Sequence, residues 1–172
     1  MIILKRNCTN LLDLTNTIKN LFEEEMNTLI VNKQTTKELY NVQYVIDKRF
    51  IKQSDGIVVL PNSEEDAVER NQFFARITNF CANQLFDDIL SRQCVIQQKY
   101  AEIDLASCIS FVQLIIRKNV IDLHVVVRSQ NFDSNFEYDN LTYCKLMFIA
   151  NRILKISIGK IFIKVVSLHK IL

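Results

Sequence analysis

Between Thr9 and about Leu29, the apolar residues Leu11, Leu14, Ile18, Leu21, Phe22 and Met26 recur at helical spacing, with Thr9 placed as an N-cap. The rhythm then shortens. Tyr44-Val45-Ile46 and Ile57-Val58-Val59-Leu60 are β-like runs separated by Ser54-Asp55-Gly56, and Pro61 closes the second. Ser63 opens a long predicted helix from Glu64 to about Leu90, with acids in the first turn, where the helix dipole favours them. Its apolar face is Val68, Phe73, Ile77, Phe80, Leu85 and Ile89. From Cys94 onward the texture is β-rich: Cys94 to Gln97, Cys108 to Ile116, Asp122 to Val127 and Ile156 to Val166. A helix from Asn140 to Leu154 separates the last two, with Leu141, Cys144, Phe148 and Ile149 on one side. No linker, repeat or low-complexity tract divides residues 1–172. The pattern predicts a single α+β domain, its helices packed on a mixed or antiparallel sheet.

Composition narrows the partners. With 49% hydrophobic and 23% charged residues, the chain reads as an ordinary globule able to bury a sizeable core. Two glycines and one proline leave little loop chemistry, so the elements should be long. A net charge of +2 sets up no strong field, and nucleic acid is not indicated as a partner. Charges interrupt every apolar run short of a membrane span, so no membrane partner is expected. The start, Met-Ile-Ile-Leu-Lys-Arg, is too short an apolar run for a secretory signal. With five cysteines, an odd number, and no Cys-x-x-Cys pair, reduced thiols in an intracellular, cytoplasmic compartment are the simpler expectation. Two distant histidines and unclustered cysteines give no metal site, and His124 reads as a core or sheet-face residue.

The last third of the chain carries the candidate chemistry. Leu105-Ala-Ser-Cys108 leads into a strand with Gln113 five residues on; Arg128-Ser129 ends a valine-rich strand; then come Asn131, Asp139, Tyr143 and His169. A free cysteine is commonly a buried core residue, and an arginine at a strand end commonly points to solvent. The order and the intervals Cys108 to Arg128, Arg128 to Asp139 and Arg128 to His169 lift these residues out of that class. They resemble the thymidylate synthase family, deoxycytidylate hydroxymethylases included, over roughly Ser91 to His169.

The resemblance implies a thymidylate-synthase-like mixed sheet packed with helices, and one-carbon transfer (methyl or hydroxymethyl) to C5 of dCMP or dUMP. Cys108 would be the nucleophile that adds to C6 of the base, with methylene-tetrahydrofolate as cofactor. Arg128 and Ser129 would grip the phosphate, since a guanidinium fork suits that anion. Arg92 resembles an arginine that reaches the partner's phosphate across a homodimer, although Gln93 replaces its companion. Asp139 stands where thymidylate synthases read uracil with asparagine and the hydroxymethylases carry aspartate, which tilts the expectation toward cytosine. Asp139 also sits where a helix from Asn140 would want an N-cap. Asn131 and Tyr143 match base-facing and helix positions, Gln113 matches a glutamine of the nucleophile strand, and His169 matches a histidine that bonds the deoxyribose.

Departures from the family pattern set up the alternative. Ile109 replaces a histidine, Ser167 and Ile171 replace the acid and tyrosine flanking His169, and the chain has no tryptophan to stack folate. The sequence closes soon after His169, where the family continues into a tail that shields the site. The second expectation is therefore a degenerate, non-catalytic relative kept as a structural or interaction subunit, in a homodimer or larger assembly.

Overall fold

The computed structural model describes residues 2–8, 10–24, 28–31, 33–57, 64–79, 83, 90, 95–97 and 108–172. In chain order the elements are β1 (Ile2–Cys8), α1 (Leu11–Glu24), β2 (Thr28–Val31), β3 (Gln34–Ile46), α2 (Lys48–Gln53), α3 (Glu64–Asn79), β4 (Val95–Gln97), β5 (Ile109–Arg117), β6 (Val120–Asn131), α4 (Phe136–Leu154) and β7 (Ser157–Ile171). The strands form a seven-stranded mixed sheet in the order β1-β3-β7-β6-β5-β4, with β2 on the remaining stretch of β3. β7 runs antiparallel to β3 and parallel to β6, so β6-α4-β7 is a crossover unit.

The helices lie on one face, and the core lies beneath them. Leu14, Ile18 and Phe22 of α1 are buried, and so are Phe136, Tyr143, Leu146, Met147 and Ala150 of α4. An aromatic chain ties the two helices together: Phe22 and Phe136 each sit 5.2 Å from the Phe132 ring, and Phe136 lies 5.9 Å from Tyr44. The Tyr44 hydroxyl donates to Asn140 Oδ1 at 3.0 Å, and Asn140 Nδ2 donates back to the Phe136 carbonyl at 2.7 Å. This satisfies an amide with no exposed surface, a group that would otherwise be costly to bury. On the sheet's other face His124 stacks on Phe162 at 4.7 Å, so His124 is a sheet-face residue. No described helix is long and apolar enough to cross a membrane.

One feature of the sheet governs the placement of the candidate residues. Along β7 burial alternates through Ile161, Ile163 and Val165, then resumes out of phase at Leu168. The same change separates Val127 from Gln130 in β6 and Val42 from Leu39 in β3. Asn41, Val166 and Arg128, all at this level, are passed over in the pairing, and Asn41 adopts φ 52°. The β5–β6 register also slips here, between Ile109 and Phe111. Aligned irregularities of this kind bend each strand and re-aim every side chain beyond them.

Several sequence expectations shift. Thr9 lies outside the described residues, and the Asn10 side chain caps α1, accepting from the Asp13 N–H at 2.8 Å. The run Tyr44 to Ile46 is the end of a 13-residue strand, β3. A short helix, α2, follows it, capped by Asp47, whose side chain accepts from the Arg49 and Phe50 N–H groups. α4 starts at Phe136, which puts Asp139 inside its first turn and removes the N-cap role. The helix from Glu64 is described to Asn79, with Val68 of its expected apolar face 51% exposed. Val58 to Leu60, Ser63 and the rest of that helix toward Leu90 lie outside the described residues, apart from isolated positions.

Candidate functional site

The C-terminal ends of parallel β6 and β7, the start of β5 and the first turn of α4 meet at one end of the sheet. In open α/β sheets such crevices are where ligands bind. Cys108 immediately precedes β5 and is partly buried against the core. Its carbonyl accepts the Arg128 N–H at 2.7 Å, so the thiol-bearing and guanidinium-bearing residues are lateral neighbours at the kink. Arg128 itself is exposed.

Beyond the kink the predicted residues divide between the two faces of β6. Ser129 and Asn131 pair with Ser167 and His169 of β7, and these in turn pair with Tyr40 and Glu38 of β3. Ser129 Oγ stands 3.4 Å from His169 Nδ1, sharing a hydrogen whose owner depends on the ring tautomer. The Ser167 hydroxyl donates a short bond to the Glu38 carboxylate. The Tyr40 hydroxyl is held above the ordinary phenol range, first by the Glu38 charge and then by its hydrogen bond to Glu38. Asn131 Oδ1 accepts from the Asp133 and Ser134 N–H groups at 2.9 and 3.3 Å, forming the turn that leads into α4.

On the helix side, Gln130 Nε2 donates to Asp139 Oδ2 at 2.6 Å, and both residues are buried. Gln130 Oε1 meets no hydrogen-bond partner among the described residues. Tyr143 follows Asp139 by one helical turn and has no exposed surface. Gln113 lies elsewhere: it pairs with His124 in mid-strand, on the face that carries the His124–Phe162 stack. Arg92 lies outside the described residues.

Sequence reading missed Gln130 and Glu38. Gln130 lies directly beside the predicted Ser129 and Asn131, but nothing in the sequence says that its amide meets Asp139 across a turn. Glu38 is far away in sequence and enters only through the β3–β7 pairing. A carboxylate and a serine on diagonal positions of paired strands leave no local signature.

The cysteine of α4, Cys144, is buried and outside any disulfide. Burial pushes its pKa up to about 12, against a small opposing effect from its hydrogen bond to Ser54. Below pH 9, its unperturbed value, the folded and unfolded chains both keep this proton. Above pH 9 the unfolded chain releases it first, so stability should fall progressively as pH rises toward 12. Peptide-resolved alkylation of the native protein at pH 8 should accordingly modify Cys108 and spare Cys144. Equal rates at the two sites would contradict the buried placement of Cys144.

The architecture has close counterparts among solved structures. The crystal structure of thymidylate synthase from phage T4 superimposes with a TM-score of 0.70 at 12% identity, over 92% of this chain and 76% of that one. The thermostable thymidylate synthase A of Bacillus subtilis gives 0.66 at 13% identity, over 91% of this chain and 78% of that one. No protein-family model and no curated protein sequence matches the chain. The chain has the thymidylate synthase fold, as the resemblance implied.

Proposed function

We propose that this protein binds a pyrimidine deoxynucleotide monophosphate and transfers a one-carbon unit to C5 of its base, with dCMP preferred to dUMP. The observation that carries the reading is the backbone bond between Arg128 and Cys108, which sets the candidate nucleophile beside the candidate phosphate ligand within this fold. Addition of the Cys108 sulfur to C6 would raise electron density at C5, the atom to be alkylated. Arg128 would take the phosphate through charge-assisted bonds, with Ser129 adding a hydroxyl. His169, steadied by Ser129, would face the sugar. Glu38, through Ser167, supplies from the neighbouring strand the carboxylate that the family carries at the Ser167 position.

Asp139 gives the preference for cytosine. A carboxyl group can accept from the exocyclic amine of cytosine and, by sharing a proton, also serve its N3 acceptor. Methylene-tetrahydrofolate, the co-substrate, would supply the electrophilic carbon. Its flat ring needs an exposed wall, and Tyr40, 58% exposed on the side of Ser167 and His169, is a described side chain of that kind. A homodimer would cover the helix-free face of the sheet around His124 and Phe162, and Arg92 is the residue proposed to reach the partner's nucleotide. We place the protein in a reducing, cytoplasmic compartment, in keeping with Cys108 and Cys144, neither of which is in a disulfide.

One observation favours the non-catalytic reading. The Asp139 side chain is only 3% exposed and already bonded to Gln130, which spends one oxygen of the proposed base reader on an internal contact. Tritium release decides between the two. With methylene-tetrahydrofolate present, dCMP tritiated at C5 should lose label faster than tritiated dUMP, and Cys108→Ser should abolish release. If neither nucleotide releases label, the enzyme reading falls and the subunit reading stands.

A further inference from the structure

A basic hollow lies at the opposite end of β6 and β7 from Cys108 and Arg128. It is an open depression of about 810 Å³ between α2 and the first residues of these strands, Val120 and Ile158 to Lys160. Lys48, Arg49 and Lys52 of α2 and Lys160 of β7 line it, all exposed and none with an ion-pair partner among the described residues. The charge is concentrated: four cations meet in one hollow of a chain whose net charge is only +2.

One carboxylate, Asp47, also lines the hollow, where its side chain caps α2. Asp122 accepts the Lys160 backbone N–H at 2.8 Å, and Asp55 stands 3.9 Å from Arg152. A second hollow of about 530 Å³ shares Lys48, Lys52 and Ile158 and adds Arg152, extending the positive wall along α4. Lys48 and Lys52 lie one helical turn apart, where like charges repel and destabilise a helix. An anion between them would turn that repulsion into attraction. Gly159 lets β7 approach β6 closely beside the hollow: a Cβ there would collide with the Asp122 carboxylate, the Val120 side chain and the Ile121 carbonyl.

We propose that this hollow is a binding site for a compact oligophosphate, either inorganic tripolyphosphate or the triphosphate of a nucleotide. Its volume suits a small ligand. Four lining cations, set against the single lining carboxylate of Asp47, match the charge of three linked phosphates better than that of one. The lining has no aromatic side chain on which successive bases could stack, which argues against a single-stranded nucleic acid. The site is separate from the proposed nucleotide site and does not depend on it.

Calorimetric titration without divalent metal tests the assignment. Tripolyphosphate should bind one per chain, at least roughly tenfold more tightly than inorganic phosphate, and weaken as salt rises. CTP and ATP equal to tripolyphosphate would mean that the phosphates alone are recognised; a tighter nucleotide would add a base contact. Either result supports the site. Lys48→Ala with Lys52→Ala should weaken tripolyphosphate at least roughly tenfold, and Lys160→Ala should act in the same direction. Lys164→Ala, outside the hollow, should change nothing. Tripolyphosphate no better than phosphate, or undiminished binding to the double variant, overturns the proposal. So does binding of an oligothymidylate with no response to tripolyphosphate.

Discussion

Replacing Phe136 with alanine should lower the unfolding free energy by about 3–5 kcal/mol, the range for emptying a buried aromatic site. Phe136 has no exposed surface, contacts the rings of Phe132 and Tyr44, and lends its carbonyl to Asn140. Its removal opens a cavity where α4 joins the sheet and loosens the route from Phe132 to Phe22 of α1. Urea unfolding should show a lower midpoint with an unchanged slope, and the melting temperature should drop by roughly 6–20 °C. Leu12→Ala on α1, where Leu12 is 69% exposed, should change stability by less than about 0.5 kcal/mol. A loss under about 1 kcal/mol for Phe136→Ala would mean that the aromatic chain does not hold the two helices to the sheet.

Arg128→Ala should leave the folded protein intact and remove most of its response to nucleotide. The Arg128 side chain is exposed, and the bond to Cys108 comes from the backbone, which the substitution keeps. Saturating dCMP should raise the melting temperature of the unsubstituted protein, because a ligand of the native state stabilises it. Losing a charge-assisted phosphate contact costs about 1.5–3 kcal/mol, or roughly 10- to 150-fold in Kd. Deoxycytidine, which lacks the phosphate, should bind both proteins alike. An undiminished dCMP shift in Arg128→Ala would remove Arg128 from the site while leaving the fold assignment untouched.

The sequence made the periodic elements legible and hid the cooperative ones. α1, the core of β5 and β6 and most of α4 followed from apolar spacing alone. α2 escaped because only Phe50 and Ile51 of its six residues are buried, too few to show a period. β3 was visible only at Tyr44 to Ile46, since Gln34 to Asn41 is mostly polar and its burial pattern breaks at Asn41. The start of α4 was misplaced by four residues, because Asn131 forms the leading turn and the helix then begins on the buried Phe136. The kink was invisible for a physical reason: it is a phase change shared by several strands, and no single strand marks it with glycine or proline. It therefore also hid which face of the sheet each candidate residue would occupy. The resemblance put forward Cys108, Arg128, Ser129 and His169 as candidates, but the Gln130–Asp139 and Ser167–Glu38 bonds beside them could not be read from it.

The position of β7 also sets the timetable of folding. Its fifteen residues form the seam between β3 and β6 and follow both in sequence. During synthesis, every earlier strand waits for Ser157 to Ile171 to leave the ribosome before the sheet can close. Until then β3 and β6 expose unpaired edges, a window in which a chaperone or a second nascent chain could intervene.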